Sequence, residues 1–229
     1  MMVLNCSVAA AAHLYGKYKK GQDEGFFELA SSNMETIEER QKRLNVPGII
    51  QWVVHAVKIG RSTVLIAMEY NTRWVHVIHQ VRKGDINGFI ERLNTRLVNG
   101  IAWLGTDFSL FTSMQIEAAI ERYFTLHKEI RFYQQTDRSA MTHINQVSAR
   151  YEDVFHDIGA FPDDEKTALA FDIRLNHDMR CRKGEVFELM VDEKMLVHWM
   201  THYLGEGDPE GELAVSKVKE VRRAIFMNK

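Results

Sequence analysis

Two pairs of histidines have spacings that suggest metal or catalytic chemistry. His76 and His79 lie three residues apart in the apolar stretch RWVHVIHQV. Side chains three apart on a strand point to opposite faces, so one metal ion could bind both only if the stretch were a helix. Its β-branched residues favour a strand, and we predict that the two histidines share no ligand. Whether His76 lies near His55 depends on a strand register that the sequence leaves open.

His198 and His202, the second pair, lie four residues apart in HWMTH. On a helix this spacing places both imidazoles on one face, as in helical zinc sites. Trp199 stands where those sites carry a glutamate, and Lys194 adds a cation one turn earlier. The alternative is that this helix face contacts solvent or a partner and binds no metal ion. His198 and His202 are the metal-binding candidates, and the sequence predicts no cofactor.

The segment TDRSAMTHINQ is a candidate anion site. Asp137 opens a predicted helix, Arg138 and Ser139 stand in its first turn, and His143 follows one turn later. Free N–H groups at a helix N-terminus attract anions, and Arg138 and Ser139 would add donors. In the structural alternative, Asp137 caps the helix and Arg138 pairs with an acid.

Basic residues near the end of the chain could contact nucleic acid. They lie in KVKEVRRAIFMNK, which fits a short amphipathic helix, and comprise Lys217, Lys219, Arg222 and Arg223. Lysine and arginine bind nucleic acid chiefly through its phosphates. The formal net charge is −2 and the chain carries no recognisable nucleic-acid-binding motif, so such binding would depend on a local patch.

Three segments with period-two hydrophobicity predict the sheet that positions these residues. QWVVHAVKI, STVLIAMEY and RWVHVIHQV form a meander joined by two-residue connections at Gly60-Arg61 and Asn71-Thr72. Both faces of the second and third strands are apolar, so we expect cover on both sides of the sheet. Residues 3–6 and EIRFYQQ supply further strands. The predicted fold class is α+β, an antiparallel meander of about four to five strands packed with several helices.

Capping residues predict where three helices begin, at Asp85, at Thr112 with Gln115, and at Asp137. The first is expected to end near Gly100. Residues 165–176 fit a strand by their alternation and a helix by the preceding PDDE, and we favour the helix. Residues 187–204 and the last fifteen residues complete a helical C-terminal part.

The chain of 229 residues is predicted to form an α+β core domain, residues 1–160, with a charged, partly helical insertion at 17–48. A helical extension, residues 161–229, is expected to pack on the same domain. A hydrophobic content of 45% is typical of a globular protein. Two cysteines make no disulfide framework and no apolar stretch approaches about 18 residues, so we predict a cytoplasmic protein with no membrane partner.

Several short motifs resemble an uncharacterised family of bacterial proteins, a domain of unknown function. They are the first strand ending in Cys6-Ser7, Trp52 with His55, the turn Gly60-Arg61-Ser62, and the helix start Asp137-Arg138-Ser139. The family carries Thr at Ser7 and Asn at Asp137. The resemblance spans most of residues 1–160 and implies the fold, but no mechanism.

Cys6 and Ser7 stand at a strand-to-helix junction, where anion binding and capping are again the two interpretations. Cys6, Ser7, His55 and Arg61 join the four residues of the α-helix start at 137–143 as candidate ligand-binding residues.

The scattered titratable residues favour a non-catalytic binding or interaction module that associates with a protein partner or with itself. One alternative is a metal-dependent or hydrolase-like enzyme that uses the helix start at residues 137–139 with nearby histidines. A second is a nucleic-acid-associated regulator that uses the C-terminal basic helix. The stretch NHDMRCRKGE brings His177 near Cys181 in sequence, and we interpret it as a polar loop.

Overall fold

The computed structural model describes residues 1–15, 27–28, 48–162, 164–182, 184–186, 188–204 and 212–227, with backbone alone for 27–28 and 225–227. The predicted insertion at 17–48, with its helix, lies outside the described residues apart from 27–28 and 48.

The strands form one sheet and are β1 (Met2–Cys6), β2 (Phe27–Glu28), β3 (Ile50–Ile59), β4 (Ser62–Glu69), β5 (Val75–Ile78) and β6 (Ile130–Gln134). Their order across the sheet is β2-β6-β1-β3-β4-β5. Strands β3, β4 and β5 pair antiparallel, which confirms the meander. Strand β1 pairs parallel with both β3 and β6, so the sheet is mixed and a purely antiparallel arrangement is wrong. Long connections separate β1 from both partners in sequence, and parallel pairing requires such connections.

The helices among the described residues are α1 (Val8–Tyr15), α2 (Ile86–Asp107), α3 (Ser113–Leu126), α4 (Arg138–Ile158), α5 (Glu165–Asn176), α6 (Val191–Trp199), which continues as a π-helical turn (Met200–Leu204), and α7 (Glu212–Met227). The helix favoured at 165–176 is confirmed. Helix α2 continues past its predicted end at Gly100, because Gly100 serves close packing rather than a helix stop. A Cβ atom there would lie 3.2 Å from Cζ2 of Trp74.

Helices cover both faces of the sheet, as the apolar strand faces predict. Val54 on β3 belongs to one core with Leu93 of α2 and Met195 of α6. Its neighbour Val53 belongs to a second core with Ile144 of α4. The α+β class is therefore confirmed. Among the described helices, none combines the length and the apolar character that a membrane crossing requires.

The connection between β4 and β5 spans residues 70–74 and is longer than the predicted two residues. The Glu69 carboxylate organises it, because Oε2 accepts hydrogen bonds from the Thr72 backbone N–H at 2.6 Å and from the Thr72 hydroxyl at 2.7 Å. Arg73 has φ +66°, the left-handed region that is uncommon for arginine. Its side chain is fully buried.

Helix α5 closes the open edge of β5. Asp172 accepts from the Val77 N–H at 3.0 Å, and the Asn176 side chain bonds both backbone groups of Val75 at 2.8 Å. Asp172 and Asn176 are four residues apart and so face the strand together. Arg180 donates to Asn176 at 3.0 Å, which ties the segment after α5 to the same edge.

Candidate functional site

The start of α4 brings a capping aspartate and a serine beside a buried arginine. Asp137 accepts from the Ala140 N–H at 2.8 Å, so the capping interpretation holds for this residue. Arg138 is exposed and forms no ion pair with the acids that the structure describes. Ser139 instead accepts a hydrogen bond of 3.0 Å from Nη2 of Arg73.

Arg73 is the least satisfied cation of this region. Its Nε and Nη1 atoms are buried and have no hydrogen-bond partner among the described residues. The guanidinium lies over the Tyr70 ring, 5.2 Å from the ring centroid. Burial lowers the pKa of Arg73, and the charge of Asp137 opposes this shift. Arginine stays charged near neutral pH, so two donor groups of a buried cation point to no described acceptor.

A second buried arginine approaches the same face of α4. Arg180 donates to the Leu175 carbonyl at 3.0 Å, while its Nε atom has no partner among the described residues. Burial lowers the pKa of Arg180 to about 10. His143 lies within electrostatic range of Arg73 and Arg180; burial first, and then these two charges, lower the pKa of His143.

These residues define a cationic groove along α4, made of Arg73, Ser139, His143, Gln146, Arg150 and Arg180. Positions 139, 143, 146 and 150 share one helix face by their spacing. Next to Arg180 the groove opens into a cavity of about 220 Å³ that Gln146 and Arg150 also line. Asp178 accepts from Arg150 at 2.9 Å and lies 3.8 Å from Arg180. Arg73, Arg150 and Arg180 bring three guanidinium groups to this face of α4. The carboxylates of Asp137 and Glu69 act on Arg73, and those of Asp178 and Asp192 act on Arg180.

The other predicted ligand-binding residues do not join this groove. Ser7 caps α1, because its Oγ accepts from the Ala10 N–H at 3.2 Å. The same hydroxyl shares a hydrogen bond of 2.8 Å with Nδ1 of His55. Cys6 is fully buried, and burial raises its pKa to about 12, so its thiol is not activated. Arg61 is exposed in the β3–β4 hairpin connection.

The histidines of the meander have structural partners. The register places His76 opposite Ala67 and His55 opposite Ile66, so the two imidazoles lie on opposite faces. Nε2 of His76 accepts from the Trp74 indole N–H at 2.8 Å, and Nδ1 donates to Asp172 at 2.8 Å. His79 donates to the Pro162 carbonyl at 2.9 Å.

The two metal-binding candidates lie close together, with ring centroids 4.4 Å apart. Burial, aided by the charge of His202, lowers the pKa of His198 to about 3. Within the described ranges, no group of three or more histidine, cysteine, aspartate or glutamate side chains is arranged to hold a metal ion. Two imidazoles alone leave a zinc site incomplete.

The C-terminal basic residues partly serve to dock α7. Lys219 forms an ion pair of 2.9 Å with Glu188, and Arg222 pairs at 2.9 Å with Glu193. Lys217 is partly buried, and Arg223 is exposed. The four residues therefore do not form a uniformly free cationic surface.

A family model for a domain of unknown function, DUF6933, matches residues 28–188. The chain belongs to the DUF6933 family. No curated protein and no solved structure matches the chain. Every residue of the cationic groove lies within the DUF6933 region, whereas Ser7, His198, His202 and the basic residues of α7 lie outside it.

The sequence predictions found Ser139 and His143 but missed the arginines that make the groove cationic. Extending the helical spacing from Ser139 finds Gln146 and Arg150 without structural information. No local pattern indicates that Arg73 and Arg180 are buried beside α4, because each comes from a connection distant in sequence. The tertiary fold alone brings Arg73 and Arg180 to α4.

Proposed function

We propose that this protein is an anion-binding module and that its ligand binds in the cationic groove. The observation that carries the proposal is Arg73, a fully buried guanidinium whose Nε and Nη1 atoms have no described acceptor. Ser139 accepts from Nη2, and the charges of Asp137 and Glu69 oppose the effect of burial, but burial still lowers the pKa of Arg73. An anion bound to the two unpartnered donor atoms would offset the cost of burying this cation. The α4 N-terminus and the Ser139 hydroxyl lie next to it.

The ligand is a small phosphate or carboxylate. Arginine presents paired N–H groups that match the oxygens of both anions. The cavity of about 220 Å³ lies at the Arg180 end of the groove, where Gln146 and Arg150 line it, and Arg73 does not line it. It is smaller than most drug-sized ligand pockets, which favours inorganic phosphate or a compact phosphorylated or carboxylated metabolite.

Binding rather than turnover is the better match to these groups. The groove contributes cations and hydroxyl donors, and Nδ1 of His143 has no partner among the described residues that would orient it. General acid–base catalysis requires a positioned proton carrier.

Isothermal titration of the whole protein with inorganic phosphate tests the proposal. We expect binding that weakens at least about tenfold in Arg73→Met, since one charge-assisted contact contributes about 1.5–3 kcal/mol. Arg180→Met is a second variant, and Arg61→Met, which removes an exposed arginine outside the groove, is the matched control. Unchanged phosphate affinity in both groove variants, or no binding of phosphate or acetate by the wild type, overturns the proposal.

A further inference from the structure

Two aspartate–histidine pairs occur among the described residues, and they differ in what surrounds Nε2 of the histidine. In each pair Nδ1 of the histidine lies 2.8 Å from a buried carboxylate, Asp172 for His76 and Asp192 for His177. The Trp74 indole occupies Nε2 of His76. None of the described residues hydrogen-bonds Nε2 of His177, whose side chain is 65% exposed while that of Asp192 is 2% exposed.

Helix ends hold the open pair in place. His177 ends α5 and donates its backbone N–H to Ile173 at 3.0 Å. Asp192 lies in the first turn of α6, where its Oδ1 accepts from the Glu193 N–H at 2.8 Å. An ionised carboxylate only accepts, so the proton of the neutral imidazole lies on Nδ1. The lone pair of Nε2 is therefore fixed in direction and accessible.

A cleft of about 480 Å³ lies at this pair. Leu104, Phe108 and Ile173 give it an apolar wall, and Arg174 and Asp107 contribute opposite charges at its border. This lining suits a neutral molecule with an apolar part rather than a multiply charged one.

We infer that His177 is the general base of a hydrolytic site for small neutral carboxylic esters. The inference is independent of the anion-binding groove. Nε2 of His177 takes a proton from water while the water oxygen bonds to the ester carbonyl carbon, whose π electrons move to oxygen. Collapse of this intermediate re-forms the carbonyl, breaks the ester C–O bond, and returns the proton to the leaving alcohol. Asp192 acts as a positioning residue that fixes the tautomer and stabilises the imidazolium.

Hydrolysis of 4-nitrophenyl acetate by the whole protein tests the inference. We expect a second-order rate constant at least about 100-fold above that of free imidazole, and a similar loss in His177→Ala. After subtraction of the rate of imidazole alone, imidazole added at millimolar concentration restores the rate of His177→Ala, which a structural role would not allow. Asp192→Asn lowers kcat with little change in KM, because the substrate does not contact Asp192.

His156→Ala is the matched control, since the His156 imidazole is 68% exposed and lies 3.8 Å from the exposed Glu152. An equal loss in His156→Ala and His177→Ala, a wild-type rate no higher than that of free imidazole, or no rescue by imidazole overturns the inference.

Discussion

Asp172→Asn is expected to destabilise the protein far more than its small change in shape suggests. Asp172 Oδ2 accepts from Nδ1 of His76 at 2.8 Å and from Nη1 of Arg96 at 3.0 Å. An amide oriented to keep the bond from Val77 to Oδ1 would point its NH₂ group at both donors. His76 cannot relieve the conflict by changing tautomer, because Nε2 must accept from the Trp74 indole.

The magnitude follows from burial. The side chain of Arg96 is 2% exposed and that of Asp172 is 0% exposed, so the substitution removes the buried counter-charge of a buried cation. Breaking such a pair costs about 3–5 kcal/mol. Glu165 also pairs with Arg96 but is half exposed, so it offsets only part of the loss. We expect the free energy of unfolding to fall by about 3 kcal/mol or more.

Urea unfolding followed by circular dichroism measures this change. Glu129→Gln is the matched control, because it makes the same acid-to-amide change in an exposed pair with Arg131 and is expected to cost less than about 1 kcal/mol. A loss below about 1 kcal/mol for Asp172→Asn, with an unchanged m-value, would refute the proposed tautomer and the role of the carboxylate.

Three further predictions concern stability. Burial lowers the pKa of His198 to about 3, so below pH 6.5 the unfolded chain binds more protons than the folded protein. The free energy of unfolding of the wild type is therefore expected to fall between pH 7 and pH 5 by about 2 kcal/mol more than that of His198→Leu. Urea unfolding at both pH values measures the difference. Equal losses would contradict this pKa. Gly100→Ala should destabilise by about 1 kcal/mol, because the crowding against Trp74 exceeds the gain in helix propensity; an increase in Tm would contradict that contact. Asp137→Ala should cost about 1 kcal/mol through loss of the helix cap, and Asp137→Ser should recover most of it; equal losses would argue against capping.

Strand periodicity predicted the separation of His76 from His79, and capping rules predicted the starts at Asp85, Thr112 and Asp137, because both depend on local geometry. The parallel pairing of β1 could not be predicted, since no local pattern records which strand lies beside it. The cationic groove could not be predicted for the same reason, since its residues come from segments that are distant in sequence. Ser139 was found from its helix start, but the partner of its hydroxyl comes from a turn 66 residues away in sequence.

The conformation and burial of Arg73 cost free energy of folding, and this cost bears on the proposed function. Its positive φ costs about 1 kcal/mol or more, and burying a guanidinium with two unpartnered donor atoms adds to that cost. Its hydrogen bond to Ser139, its contact with the Tyr70 ring and the charges of Asp137 and Glu69 offset part of this cost, but burial still lowers the pKa of Arg73. A residue kept for stability should destabilise the protein when it is replaced by an apolar side chain of similar length. Arg73→Met is instead expected to leave the unfolding free energy unchanged or higher while phosphate binding is lost, and a large loss of stability would indicate that Arg73 serves the fold.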